Sequence, residues 1–207
     1  MTHTDTDNAS TPNHHGHHPG FSGPSGLLMA LGFTIGREGD AALAVELAGL
    51  GPADHVVDIG CGPGTAARRA ARLGARVTGV DPAPVMLRVA RWFGHSDRIT
   101  YAEGRAEALP LADGEATVAW SIAAVHHWPD LDAGLAELRR VLAPGGRFVA
   151  IERHTTAGAT GIASHGWTDE RAATFADICR AAGFTSAEVT TRRVGRRPLI
   201  AVRATRP

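Results

Sequence analysis

The run Val56-Val57-Asp58-Ile59-Gly60-Cys61-Gly62-Pro63-Gly64-Thr65, followed by Val77-Thr78-Gly79-Val80-Asp81, constrains this chain more than any other stretch. An apolar, β-branched run enters a glycine-rich turn, a helix-compatible segment follows, and a second apolar run ends in a carboxylate. That order is the first βαβ unit of a nucleoside-binding α/β fold, with the acid placed to take a pair of ribose hydroxyls.

The spacing within the turn narrows the ligand. A dinucleotide fingerprint spaces its glycines G-x-G-x-x-G and lays a pyrophosphate on the following helix N-terminus. Here Gly60, Gly62 and Gly64 are spaced G-x-G-x-G, and Asp58 stands two residues ahead of them. A carboxylate there repels a pyrophosphate and suits a ligand that carries an ammonium group. The plain alternative, a glycine turn that only joins a strand to a helix, leaves both acids unexplained.

This pattern resembles motif I of the class I S-adenosylmethionine (SAM)-dependent methyltransferases. The resemblance implies that Asp58 holds the turn or, through water, the ligand ammonium. Gly60, Cys61, Gly62 and Gly64 form the turn against which the methionine part and ribose lie, and a Cβ at any of the three glycines is expected to intrude. Asp81 accepts from the ribose hydroxyls, and Pro82 and Met86 touch the adenine or ribose. Asp81 ahead of Pro82 also suits a helix N-cap.

Downstream, Glu103-Gly104-Arg105-Ala106-Glu107-Ala108-Leu109-Pro110-Leu111 resembles the G-D-A-E-x-L-P-F segment of the group that includes the ubiquinone and menaquinone C-methylating enzymes. In that group the Asp side chain accepts from the adenine N6 amine and the next residue's amide meets N1. Here Arg105 stands at the Asp position, and a guanidinium cannot accept a hydrogen bond. The amide of Ala106 keeps its contact, and Arg105, Ala106 and Glu107 remain the residues expected at the adenine. Trp120-Ser121-Ile122-Ala123-Ala124-Val125-His126-His127-Trp128 resembles the group's segment after the fourth strand. It implies that the Ser121 carbonyl receives the methionine ammonium and that His126 lies beside the cofactor at the C-terminal edge of the sheet, where α/β folds bind ligands. Leu138-Arg139-Arg140-Val141-Leu142-Ala143-Pro144-Gly145-Gly146 resembles a structural turn of the same family. The resemblance covers residues 50–152.

Strand and helix patterns alternate along the rest of the chain. Strands are expected near 55–59, 76–80, 98–102, 116–121, 147–152, 185–192 and 197–204, with helices near 64–73, 83–93, 131–142 and 169–182. Such alternation builds a parallel sheet covered on both faces. Only Arg193 to Arg196 join the last two strands, so that link is a hairpin and the last strand runs antiparallel. The expected fold class is α/β: a Rossmann-like, doubly wound, seven-stranded sheet with one antiparallel strand. Residues 1–20 are polar and read as a disordered tail. Residues 21–207 read as one domain: a cap over 21–50, a SAM-binding core over 51–152, and a C-terminal part over 153–207 that completes the sheet. In the cap, Gly51-Pro52 is expected to stop a helix.

Composition excludes several alternatives. The formal net charge is zero, so a nucleic-acid partner is not expected, and the Arg192-Arg193 and Arg196-Arg197 pairs read as the flanks of a surface hairpin. No apolar run approaches the roughly eighteen residues of a membrane span, and the N-terminus lacks a signal-peptide pattern. The two cysteines, Cys61 and Cys179, build no disulfide framework, which suits a reducing cytoplasm. No resident metal is expected; His14, His15, His17 and His18 in the tail form the one sequence cluster of such ligands.

The implied reaction is in-line methyl transfer from SAM to a small-molecule acceptor, giving S-adenosylhomocysteine, in a monomer or homodimer. Alignment and desolvation supply most of the catalysis. Where the acceptor must lose a proton, His126 and His127 are the candidate catalytic bases. His154 and His165 are expected to rim the site, Glu152 to orient substrate, and Phe21, Phe33, Trp128 and Trp167 to supply any aromatic lining. A SAM-binding regulatory or degenerate module without transfer activity is the alternative. A short dehydrogenase is opposed by the glycine spacing and by a chain with one tyrosine, Tyr101, and no lysine.

Overall fold

The computed structural model describes residues 11–13 and 37–207, apart from the side chains of Ile162 and Ala163. Its strands are β1 (His55–Ile59), β2 (Arg76–Asp81), β3 (Ile99–Glu103), β4 (Ala116–Ile122), β5 (Leu142–Arg153), β6 (Thr185–Val194) and β7 (Arg197–Thr205). The helices among the described residues are α1 (Glu38–Ala48), α2 (Thr65–Arg72), α3 (Pro84–Phe93), α4 (Leu131–Val141) and α5 (Asp169–Ala181).

The strands form one sheet in the order β3-β2-β1-β4-β5-β7-β6. The pairs among β1 to β5 are parallel, whereas β7 runs antiparallel to both β5 and β6. Gly195 and Arg196 alone separate β6 from β7, and Gly195 takes a left-handed φ of 59°. Two residues make a hairpin and cannot make a crossover. Arg197 at the start of β7 pairs with the buried Asp40 of α1 at 2.9 Å, tying this hairpin to the opposite end of the chain.

Each face of the sheet carries its own apolar layer, because successive side chains on a strand point to opposite sides. On β5, Phe148 and Ala150 join Leu135, Leu138, Trp167 and Phe175 in the layer under α4 and α5. Val149 and Ile151, one residue out of step, join Leu43, Leu47, Ala67, Ala70 and Leu87 in the layer under α1 to α3.

Three boundaries depart from the sequence reading. Helix α1 ends at Gly49, whose left-handed φ of 56° closes the helix with the Gly49 amide donating to the Glu46 carbonyl and the Leu50 amide to the Val45 carbonyl, so Gly51-Pro52 is not the stop. Strand β5 begins at Leu142, and the glycine turn at Gly145-Gly146 lies inside it as an irregularity in its pairing with β4. Residues 11–13, placed by composition in a disordered tail, are docked instead. Pro12 is buried, its carbonyl accepts from the Trp167 indole at 2.9 Å, and Asn13 donates to the Trp128 carbonyl at 2.9 Å. A buried indole N–H needs an acceptor, and composition cannot show that this segment supplies it. The rest of the tail and the first part of the cap, with Phe21 and Phe33, lie outside the described residues. No helix among the described residues is long and apolar enough to cross a membrane.

Candidate active site

A cavity of about 630 Å³ opens at the C-terminal ends of β1, β2 and β4. The glycine turn forms its floor. Gly60, Gly62 and Gly64 all adopt left-handed φ, 72°, 52° and 78°. Their reasons for being glycine differ. A Cβ on Gly60 falls 2.5 Å from the Ala124 Cβ, and one on Gly64 falls 2.3 Å from the Tyr101 hydroxyl. A Cβ on Gly62 meets nothing within 4 Å. Only the backbone conformation demands glycine there, and the space in front of it is open.

Asp81, at the end of β2, holds this turn. Its Oδ2 accepts the Gly62 amide at 2.8 Å and its Oδ1 accepts the Ala83 amide at 2.9 Å. Helix α3 has no side-chain cap at Ala83 and starts at Pro84, so Asp81 anchors the entry to the helix from two residues upstream. Burial raises its pKa, and the two amides oppose that shift.

Asp58 plays the other part. It lies in β1 opposite Trp120, is almost fully buried, and its Oδ2 has no hydrogen-bond partner among the described residues. Burial pushes its pKa up to about 7, aided by the neighbouring Asp81 charge and opposed by hydrogen bonding with the Trp120 side chain and the Ala67 backbone. A buried carboxylate oxygen without a partner beside a cavity favours a cationic ligand group there. The holding role that the sequence suggested for Asp58 thus belongs to Asp81. Cys61 also lines the cavity, and burial holds its thiol well above the usual range.

The structure sets Asp58, Gly60, Cys61, Gly62, Asp81, Pro82, Met86, Arg105, Ala106 and Glu107 around one cavity. Arg105 is exposed, and the chain turns tightly there, with the Ala108 amide donating to its carbonyl at 3.1 Å. Glu107 accepts the Asp130 amide at 3.2 Å. Three expected cofactor residues do not line the cavity. Gly64 lies under the turn against Tyr101, and Ser121 is fully buried in β4 between Ile59 and Ala150. Ile122, Ala123 and Ala124 form the wall beyond Ser121, and Ala123 adopts a left-handed φ of 52° that turns the chain across the cavity.

The third is His126. It sits in the short 3-10 turn Val125–His127, is buried, and its Nδ1 lies 2.8 Å from Oε2 of the buried Glu152. Glu152 also accepts the His126 amide at 3.4 Å. Of the two candidate bases, His127 lines the cavity, and His165 joins it there. His154 is turned to Asp169 at 3.1 Å, outside the cavity lining. Trp128 forms part of the wall, whereas Trp167 is core.

Arg37 is a charged cavity residue that the sequence reading missed. It stands just ahead of α1, donates from Nη1 to the Ile122 carbonyl at 3.4 Å, and lies on the wall with Ala41. Burial lowers its pKa, opposed by Asp40 and Glu152. A lone arginine before a helix carries no motif, so no sequence signal marked it.

Residues 57–150 match the model of a family described as "Methyltransferase domain". A ubiquinone/menaquinone biosynthesis C-methyltransferase of Rubrivivax gelatinosus is 36% identical over 113 residues, covering 55% of this chain and 45% of that protein. A malonyl-[acyl-carrier protein] O-methyltransferase of Serratia marcescens is 40% identical over 116 residues, covering 52% of this chain and 45% of that protein. The chain thus spans less than half the length of each of these two relatives. A SAM-dependent methyltransferase from Aquifex aeolicus superposes with a TM-score of 0.72 at 17% identity, over 86% of this chain and 97% of that one. Over residues 57–150 the chain is similar to this methyltransferase family, and its whole sheet has the fold of the class I SAM-dependent methyltransferases.

Proposed function

We propose that this chain binds SAM in the cavity and catalyses transfer of its methyl group to a small-molecule acceptor. One observation carries the reading: the buried Asp58 carboxylate, whose Oδ2 has no hydrogen-bond partner among the described residues, beside an open glycine turn held by Asp81. A ligand with an ammonium at one end and a vicinal diol farther along fits those two acids. When bound, SAM supplies a methyl group activated by its positively charged sulfur.

The protein's part is binding, alignment and exclusion of water. Asp58 attracts the ammonium, and the carbonyls along Ile122–Ala124, next in the chain after Ser121, offer further acceptors. Asp81 keeps spare lone pairs on both oxygens for the ribose hydroxyls while it holds the turn. Pro82 and Met86 give apolar contact to the ribose and adenine, and the Ala106 amide meets the ring. Glu107 replaces the missing acceptor at Arg105. His127 takes a proton from the acceptor where the chemistry needs it, and the His126–Glu152 pair supports the wall behind it.

Calorimetric titration with S-adenosylhomocysteine, with NAD as control, tests this reading. Micromolar binding of the first alone supports it, and an acceptor screen follows. A chain that binds neither ligand refutes it.

A further inference from the structure

We propose that His126, His127 and His165 form a site for a divalent transition-metal ion on the wall of the cavity, with Glu152 as the positioning residue behind His126. One ring nitrogen from each of the three lies within 4.8 Å of the others. The rings are mutual neighbours, with centroids 4.1 Å apart for His126 and His127, 5.5 Å for His126 and His165, and 5.7 Å for His127 and His165. Two come from the turn after β4 and the third from the segment after β5, so the fold assembles the set.

Glu152 supplies an independent observation. A buried carboxylate 2.8 Å from Nδ1 of His126 makes that nitrogen the donor and leaves the lone pair on Nε2. Metal-binding histidines are commonly oriented by a carboxylate in this way. Three imidazoles without a thiolate favour zinc, cobalt, iron or nickel over magnesium or calcium. At a zinc–nitrogen distance of about 2.0–2.1 Å, tetrahedral ligand atoms stand about 3.4 Å apart. Closing the present arrangement to that spacing needs only a small movement, and His165 is exposed.

Three protein ligands leave a coordination position for a substrate. His127 and His165 line the cavity, which puts that position at the cavity wall. The proposal rests on the methyl-transfer reading for its use: an acceptor hydroxyl bound to the ion loses its proton to solvent at a lower pH, and the ion replaces His127 as the activating group. The acceptor class is then a small molecule with a metal-binding oxygen.

His14, His15, His17 and His18 of the full chain are further imidazoles that could compete for such ions, so the test uses the full-length protein with these four changed to serine. After removal of metal by a chelator, Co²⁺ is titrated by its visible absorption and Zn²⁺ by equilibrium dialysis. One equivalent is expected to bind with micromolar or tighter affinity. His165→Ala and His127→Ala are each expected to weaken it at least roughly tenfold, and Glu152→Gln by roughly tenfold. His165 is exposed, so its variant keeps the fold if the buried ones do not. Absence of binding in the serine variant, or binding indifferent to His165→Ala, overturns the site. S-adenosylhomocysteine affinity measured on the same samples separates the two proposals: ion binding without nucleoside binding removes the methyl-transfer reading alone, and the converse removes the metal alone.

Discussion

Asp81 accepts the Gly62 amide at 2.8 Å in the lining of the cavity, so a single side chain both shapes the glycine turn and presents acceptors to whatever lies over it. Asp81→Ala is expected to lower S-adenosylhomocysteine affinity at least roughly tenfold and to reduce stability by about 1–3 kcal/mol, since the Gly62 and Ala83 amides lose their acceptor. Titration calorimetry and thermal melts read the two effects separately. Lost stability with unchanged affinity would leave Asp81 a purely structural residue.

Asp58 makes binding depend on pH. Its carboxyl is pushed up to about 7 in the fold from an ordinary 3.8, first by burial and then by Asp81. Between those values the folded chain holds a proton that the unfolded chain has lost, so the stability of the free protein falls as pH rises from about 4 to 7. A ligand ammonium favours the ionised form. Affinity for S-adenosylhomocysteine is therefore expected to rise with pH, by up to about tenfold per unit below 7, and then to level off. Asp58→Asn is expected to flatten both profiles; the variant also separates Asp58 from Asp81, whose pKa shifts in the same direction. Identical profiles in the variant would assign the dependence to another group.

Gly60 and Gly62 separate packing from ligand space. Gly60→Ala puts a methyl group 2.5 Å from the Ala124 Cβ in a left-handed conformation and is expected to cost well over the roughly 1–2 kcal/mol of the backbone alone. Gly62→Ala carries only the backbone cost, and its methyl group occupies the open space. It is expected to melt closer to the parent and to lose more nucleoside affinity per unit of stability lost. The opposite ranking in melts and titrations would place the ligand away from Gly62.

The buried His126–Glu152 pair predicts a division of labour between the adjacent histidines. His126→Ala strands a carboxylate whose side chain is fully buried and is expected to cost about 3–5 kcal/mol by urea denaturation. His127→Ala, half-buried on the cavity wall, is expected to cost about 1 kcal/mol or less and to lower turnover more than nucleoside affinity. Equal destabilisation by the two substitutions would contradict this assignment.

Residues 11–13 give a fifth expectation. Removing residues 1–13 takes the Pro12 carbonyl from the buried Trp167 indole. A loss of about 1–3 kcal/mol is expected, together with a red shift of the indole emission as water reaches Trp167. An unchanged melt and spectrum would show that the contact contributes nothing in solution.

The amino-acid sequence alone determined the alternation of strands and helices, the antiparallel final hairpin and the glycine turn between two acids. These are local: β-branched runs, glycines with left-handed backbone and a two-residue link act on their own neighbours in the chain. Tertiary structure decided which acid does what. Asp58 and Asp81 look equivalent in the motif, and only the packing of β1 against β4 leaves one buried with an unpartnered oxygen while the other meets two amides. Tertiary structure likewise turned His126 inward to Glu152 and brought His165 beside His127, residues far apart in sequence. It also brought Pro12 to Trp167. Burial and long-range hydrogen bonds depend on which surfaces the sheet brings together, and no local pattern carries that information.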